Sequence, residues 1–252
     1  MSKSKKKSSS GSRKFVEGVR GISLAVKLYG MSPPDLSTTK LKALLKDNSY
    51  EPINRRDILR EGFGSVKSKG KVISAEFFAD FRVQVLTYGE DGSLSSEPVK
   101  SVDRAHILIK LDKNVLEIRG AERTARKFLK QFEELTGVST SPLNLDGGAK
   151  KLYDSAAEIS SVLFSGLEKG NLSQVELKGE SIQTEDEIAL YTRRYKGQIN
   201  RFRGSFAYPS GAFLTTSINA QAGSFVVYKS GDGILEKDLS WIVELMEDAA
   251  LK

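Results

Sequence analysis

YTRRYKGQINRFRGSFAY, residues 191–208, carries five cations, Arg193, Arg194, Lys196, Arg201 and Arg203, and no carboxylate. Five aromatics lie among them: Tyr191, Tyr195, Phe202, Phe206 and Tyr208. Two readings compete. Cations mixed with aromatics suit a platform on which nucleic-acid bases stack. The same pattern suits a β-hairpin with an apolar inside and a charged outside. Gly197-Gln198, between Lys196 and Ile199, fits a two-residue type II′ turn, which takes Gly first. That turn sets the register: Tyr195 opposite Asn200, Arg194 opposite Arg201, Arg193 opposite Phe202, Thr192 opposite Arg203.

Side chains alternate across a strand. One face of this hairpin then holds Ala189, Tyr191, Arg193, Tyr195, Phe202 and Phe206. The other holds Ile188, Leu190, Thr192, Arg194, Lys196, Arg201, Arg203 and Ser205. The aromatics read as core, and Arg194, Lys196, Arg201 and Arg203 as an anion-binding face. Arg194 directly opposite Arg201 costs up to about 1 kcal/mol. A phosphate backbone relieves that repulsion, and so does a carboxylate such as those in QTEDE, residues 183–187.

Working outward, the strands and helices around this stretch point to the α+β class. Strands are expected near 187–195, 199–207, 212–219 and 224–229, with a closing helix over about 235–250. ISLAVKL, residues 22–28, alternates as a half-buried strand. A short helix is expected over 38–47 and a second in INRRDILRE, opened by Pro52. With Arg55, Arg56 and Arg60 on the second helix, the pair has the outline of a helix-turn-helix, as any αα-hairpin does. GFGSVKSKGK, residues 62–71, reads as a connector and misses the phosphate-binding loop spacing. GFGSV and RGSFAY are each partial matches to an RNA-recognition signature.

FRVQVLTY begins a β region, GEDGSLSSEP reads as a loop, and RAHILIKL and VLEIRG flank a turn at Asp112-Lys113-Asn114. AERTARKFLKQFEELT follows as a helix, with Ala121, Ala125, Phe128, Phe132 and Leu135 inward. STSPLNLDGG, 139–148, is the best internal boundary, and a helix is expected over 149–168. The chain thus divides into a basic tail (1–14), one α+β unit (15–138) and another (149–252). In each unit antiparallel strands precede a C-terminal helix, so the two halves look alike in plan.

The net charge of +7 is concentrated. MSKSKKKSSSGSRK, residues 1–14, holds Lys3, Lys5, Lys6, Lys7, Arg13 and Lys14 and no acid, so the remainder is close to neutral. A Ser/Lys/Gly tail without apolar residues has nothing to bury and reads as a disordered arm. Such arms bind nucleic acid or an anionic membrane surface. No apolar run reaches the length of a membrane span, and no signal-peptide core follows the basic start. The expected setting is the cytoplasm or nucleus, not secretion.

Chemistry is sparse. There are no cysteines and one histidine, His106, so a thiolate or histidine-rich metal site is excluded. His106 falls on the opposite side of its strand from Ala105, Ile107 and Ile109. Glu176-Leu177-Lys178 matches the E-x-K of metal-dependent nucleases, and Glu117-Ile118-Arg119 follows Asp112 in a related arrangement. No catalytic residue, metal or cofactor is expected. The leading expectation is a non-enzymatic nucleic-acid-binding protein that holds phosphates through Lys3, Lys5, Lys6, Lys7, Arg194, Lys196, Arg201 and Arg203. The alternative is an assembly protein, such as a virus coat or matrix component or a subunit of a complex. A metal-dependent nuclease stands third.

Overall fold

The computed structural model describes residues 13–17, 19, 21–53, 55, 57–145, 147–229, 231 and 233–250. The chain is α+β and is built on one antiparallel sheet of eleven strands. The strands are β1 (Ser23–Met31), β2 (Glu61–Lys69), β3 (Val72–Tyr88), β4 (Leu94–Lys110), β5 (Val115–Arg119) and β6 (Thr140–Pro142). They continue with β7 (Glu158–Lys169), β8 (Leu172–Lys178), β9 (Gln198–Ala207), β10 (Phe213–Asn219) and β11 (Ser224–Tyr228). The helices are α1 (Thr38–Asp47), α2 (Glu122–Thr136), α3 (Ala149–Asp154), α4 (Asp186–Ala189) and α5 (Glu236–Ala250). The sheet runs β2-β3-β4-β5-β1-β11-β10-β9-β7-β8, with β6 beside β1. The ladder therefore continues through β1 from one end of the chain's strands to the other.

The two long helices lie on opposite faces of this sheet. On β5, Leu116 and Ile118 join a buried cluster with Phe128 and Phe132 of α2. The alternate residues Glu117 and Arg119 reach α5 instead, through Lys110 to Glu247 and directly to Glu236. On β1, Leu24, Val26 and Leu28 join the cluster of Leu239, Ile242 and Met246 of α5, whereas Tyr29 and Met31 join the α2 cluster. With side chains alternating, each end of the sheet has one face under a helix and the other face bare. α2 carries its apolar residues at a helical spacing and ends on Gly137, whose φ of 69° suits glycine.

Several expected elements differ. Residues 187–195 are not a strand: α4 continues as a π-helical turn (Leu190–Arg194). Ile188, Tyr191 and Tyr195 pack on the core from this helical segment; their spacing of three and four is that of a helical stripe, whereas the expected alternation put Ile188 on the other face from the two tyrosines. Asp186 and Glu187 favour it, since carboxylates in a first turn meet the positive helix end. The II′ turn is absent. The left-handed residue is Lys196, at φ 52°, and not Gly197. Glycine is needed at 197 because a Cβ there would come within 2.5 Å of Leu167 and 3.0 Å of the Tyr191 carbonyl.

The helix expected over 149–168 stops at Asp154, and β7 follows. Irregular register at 159–161 and 163–164 breaks the strand's alternation, leaving Ile159, Val162, Phe164 and Leu167 buried at a spacing that imitates a helix. No second helix follows α1 among the described residues of 52–60, so the helix-turn-helix outline is lost; Arg55 pairs with Asp57 and Arg56 lies outside the described residues. GFGSVKSKGK is mostly edge strand β2, and of GEDGSLSSEP the first five residues are the expected loop and the last five open β4. The helices at 38–47, 122–136 and 236–250 and the strands from 198 to 228 stand where the sequence put them.

Candidate nucleic-acid interface

The sequence-predicted basic residues separate. Lys3, Lys5, Lys6 and Lys7 lie outside the described residues. Arg194 ends the π-helical turn, with its guanidinium 5.8 Å from the Tyr195 ring centre. Lys196 is held 2.8 Å from Glu168. These two belong to the segment that packs on Phe164 and Leu167, the helix-covered side. Arg194 does not oppose Arg201, so the expected like-charge pair does not form. Its place opposite Arg201 is taken by Asn219 on one side and Leu163 on the other.

Arg201 and Arg203 remain together on β9, two residues and so about 7 Å apart on the same face. Phe202, Gly204 and Phe206 point to the core, and the two arginines point out of the bare side. The ladder surrounds them with small polar groups. Lys178, Ser161, Arg203, Ser217 and Val226 form one cross-strand row; Glu176, Leu163, Arg201, Asn219 and Ser224 form the next. Five strands at about 4.8 Å make this surface roughly 24 Å wide.

Three further residues share this face, and sequence reasoning missed all of them. Tyr228 lies beneath Arg203, whose guanidinium is 4.6 Å from the ring centre. Phe213, two places before Thr215 on β10, is 66% exposed. Lys178 is exposed and pairs with its neighbour Glu176 at 2.9 Å. The signal for Phe213 was legible: in FLTTSIN it falls on the polar side with Thr215, Ser217 and Asn219. Tyr191 and Tyr195, the expected core aromatics of the hairpin, are half-buried on the opposite side of the sheet. The bare face therefore does combine cations and aromatics, but with a different set of rings. Among the described residues neither Arg201 nor Arg203 has a carboxylate within ion-pair distance.

The bare face at the other end, over β3, β4 and β5, is charged differently. It opens into a cleft of about 720 Å³ lined by Lys67, Ser74, Glu76, Arg104, His106 and Arg119 and closed by Glu236. Here the arginines are paired. Arg104 meets Glu76 at 2.9 Å, and Arg119 meets Glu117 at 2.6 Å and Glu236 at 3.1 Å. Burial pushes the Glu117 carboxyl up, but Arg119 and Lys110 outweigh that and hold it below its ordinary value. His106 Nε2 is 3.1 Å from Ser74 Oγ. Burial first, and then the Arg119 charge, depress its pKa, so the ring is neutral at pH 7.

Both nuclease-like fragments resolve into ion pairs. Glu117 is buried between Lys110 and Arg119, and Glu176 is tied to Lys178. Among the described residues no three His, Asp or Glu side chains gather in a way that holds a metal. No described helix is long and apolar enough to cross a membrane. The chain matches no protein-family model and no curated protein.

Proposed function

We propose that the bare face of β9, β10, β11 and β7 binds nucleic acid, in single-stranded form and with little base specificity. One observation carries this reading: Arg201 and Arg203 are exposed, have no carboxylate partner among the described residues, and share a face with Tyr228 and Phe213. A guanidinium left unpaired on a flat polar surface is available to phosphate, where it forms two parallel hydrogen bonds. A sheet face suits a single strand because unstacked bases lie flat against rings, whereas a duplex hides its bases. The basic residues of 1–14 add sequence-independent attraction. The cleft over β4 and β5 is the weaker candidate, since its two arginines, Arg104 and Arg119, are already held by carboxylates.

The test is a salt-titrated binding measurement by fluorescence anisotropy, using random single-stranded and duplex oligonucleotides. Arg201→Glu with Arg203→Glu is compared with the unaltered chain, each with and without residues 1–12. The expected result is tighter binding to single strands. In the shortened protein the double substitution should flatten log K against log salt by about two phosphate contacts. Unchanged binding by that shortened double variant would sink the proposal. The second reading, an assembly protein, is favoured by a different feature, the ribbon formed by β3 and β4.

A further inference from the structure

β3 and β4 run together for seventeen residues each, far beyond the strands beside them. β2 pairs with β3 only up to Ala79, and β5 pairs with β4 only from His106. Past that point residues 82–88 pair with 94–100 as a two-stranded ribbon with no third strand beside it among the described residues, seven pairs and so about 24 Å long. Its root is fixed. Asp80 is fully buried and accepts hydrogen bonds from the Tyr50 hydroxyl at 2.6 Å and the Arg60 amide at 3.0 Å, with Lys100 3.4 Å away. Phe81 lies under Arg123 and Lys127 of α2. Residues 84–98 are exposed without a break.

An isolated two-stranded ribbon is marginal in water, and this one carries apolar residues where water should favour polar ones. Tyr88 is 78% exposed, Leu86 69% and Leu94 62%. Tyr88 pairs with Leu94, and Leu86 is two places along the same side, so the three form one patch. Residues 83–99 contain Glu90, Asp91 and Glu97 and no cation. That charge opposes contact between two such ribbons. Glu90 and Asp91 at the tip complement Arg201 and Arg203, which have no carboxylate partner among the described residues, and the Tyr228 and Phe213 of that face match the apolar side of the ribbon.

We infer that the β3–β4 ribbon is an assembly arm that docks on the Arg201–Arg203 sheet face of a second copy of this chain. The contact is heterologous: arm meets face, so each copy offers one of each. A ribbon about 24 Å long and two strands wide covers less than a standard interface, so association is weak. Because the arm takes the face proposed above for nucleic acid, oligonucleotide and second copy exclude one another there. The docking itself holds whether or not that face also binds nucleic acid.

Sedimentation velocity of the full chain without nucleic acid tests it. Self-association is expected at about 10–100 µM, within the weak range for so small a contact. An arm variant (Leu86→Ser, Tyr88→Ser, Leu94→Ser) and a face variant (Arg201→Glu, Arg203→Glu) should each sediment as monomers with unaltered circular dichroism. Mixed, the two should form one-to-one dimers, since the arm variant keeps a face and the face variant keeps an arm. A chain that stays monomeric to about 1 mM overturns the inference. So does a face variant that still self-associates, which would place the contact between arms, or a mixture that fails to recover dimers. The nucleic-acid reading is judged separately: the arm variant should bind oligonucleotide like the unaltered chain.

Discussion

The protein shows two charged sheet faces on opposite sides, one bare over β9 and one met at β5 by α5, and they treat charge in opposite ways. Over β4 and β5, cations are matched to carboxylates: Lys110 and Arg119 hold Glu117, Lys110 and Lys113 hold Glu247, and Arg104 holds Glu76. Over β9, Arg201 and Arg203 have no such partner among the described residues, and Arg203 rests on a tyrosine ring. The first arrangement ties α5 to the far end of the sheet and spends its charge on the fold. The second leaves charge for a partner. Local cation density alone does not separate them; what separates them is whether a carboxylate lies across the ladder.

That contrast makes its largest prediction on the paired face. Glu117 is 2% exposed, between two cations that are themselves mostly buried. Removing one member of a buried ionic network leaves the others poorly compensated. Glu117→Ala should lower folding stability by about 3 kcal/mol, seen as a fall of about 6–12 °C in Tm. Arg119 keeps Glu236 and Lys110 keeps Glu247, which sets the loss at the lower end for such pairs. Binding to oligonucleotide at a temperature where the variant is folded should not change.

On the other face the two readouts exchange places. Arg201→Ala with Arg203→Ala should move stability by no more than about 0.5 kcal/mol, as for exposed residues outside a network. Affinity for single strands at low salt should drop by about 10–100-fold. A large stability loss here, with binding intact, would mean that the two faces do not differ as argued. Phe213→Ala narrows the question to the rings. A stacked base is worth about 1–3 kcal/mol, so a loss of about tenfold in affinity with unaltered Tm is expected. No change in affinity would leave the face binding phosphates alone.

How far the sequence reveals this contrast depends on the length of the repeating pattern. The Ala125, Phe128 and Phe132 stripe lies on a fifteen-residue helix of about four turns, and only one period fits it. The outward histidine of RAHILIKL was legible for the same reason, with Ala105, Ile107 and Ile109 buried as the alternation requires. DEIALYTRR is too short to choose between periods, and β7 carries register shifts that turn alternation into a helical imitation. The Arg201–Arg203 pairing on one face followed from β9 alone and survived the loss of the hairpin. Tyr228 and Lys178 reach that face only through the strand order β11-β10-β9-β7-β8, in which β7 sits between β8 and β9. Nothing local in the sequence specifies that order.

The smallest effect is the sharpest check on the paired face, because a single group carries it. His106 is the only histidine. It faces Ser74 and lies among Arg119, Glu117, Glu236 and Glu76. Burial and Arg119 lower its pKa in the folded state below the ordinary 6.5. The unfolded chain therefore binds more protons than the folded one just below that value. Stability is complete above about pH 6.5 and falls as pH drops toward the folded pKa, by at most about 1.4 kcal/mol per pH unit for one proton. Glu117 and Asp80, both held below their ordinary values, lose their contributions only at more acid pH. Denaturant midpoints measured from pH 7.5 to 5 should thus decline in the unaltered protein and stay level in His106→Gln, which keeps a partner for Ser74. A level profile in both would show that the four acidic and basic neighbours leave the ring as easily protonated folded as unfolded. The charge balance argued for this face would then be wrong at its centre.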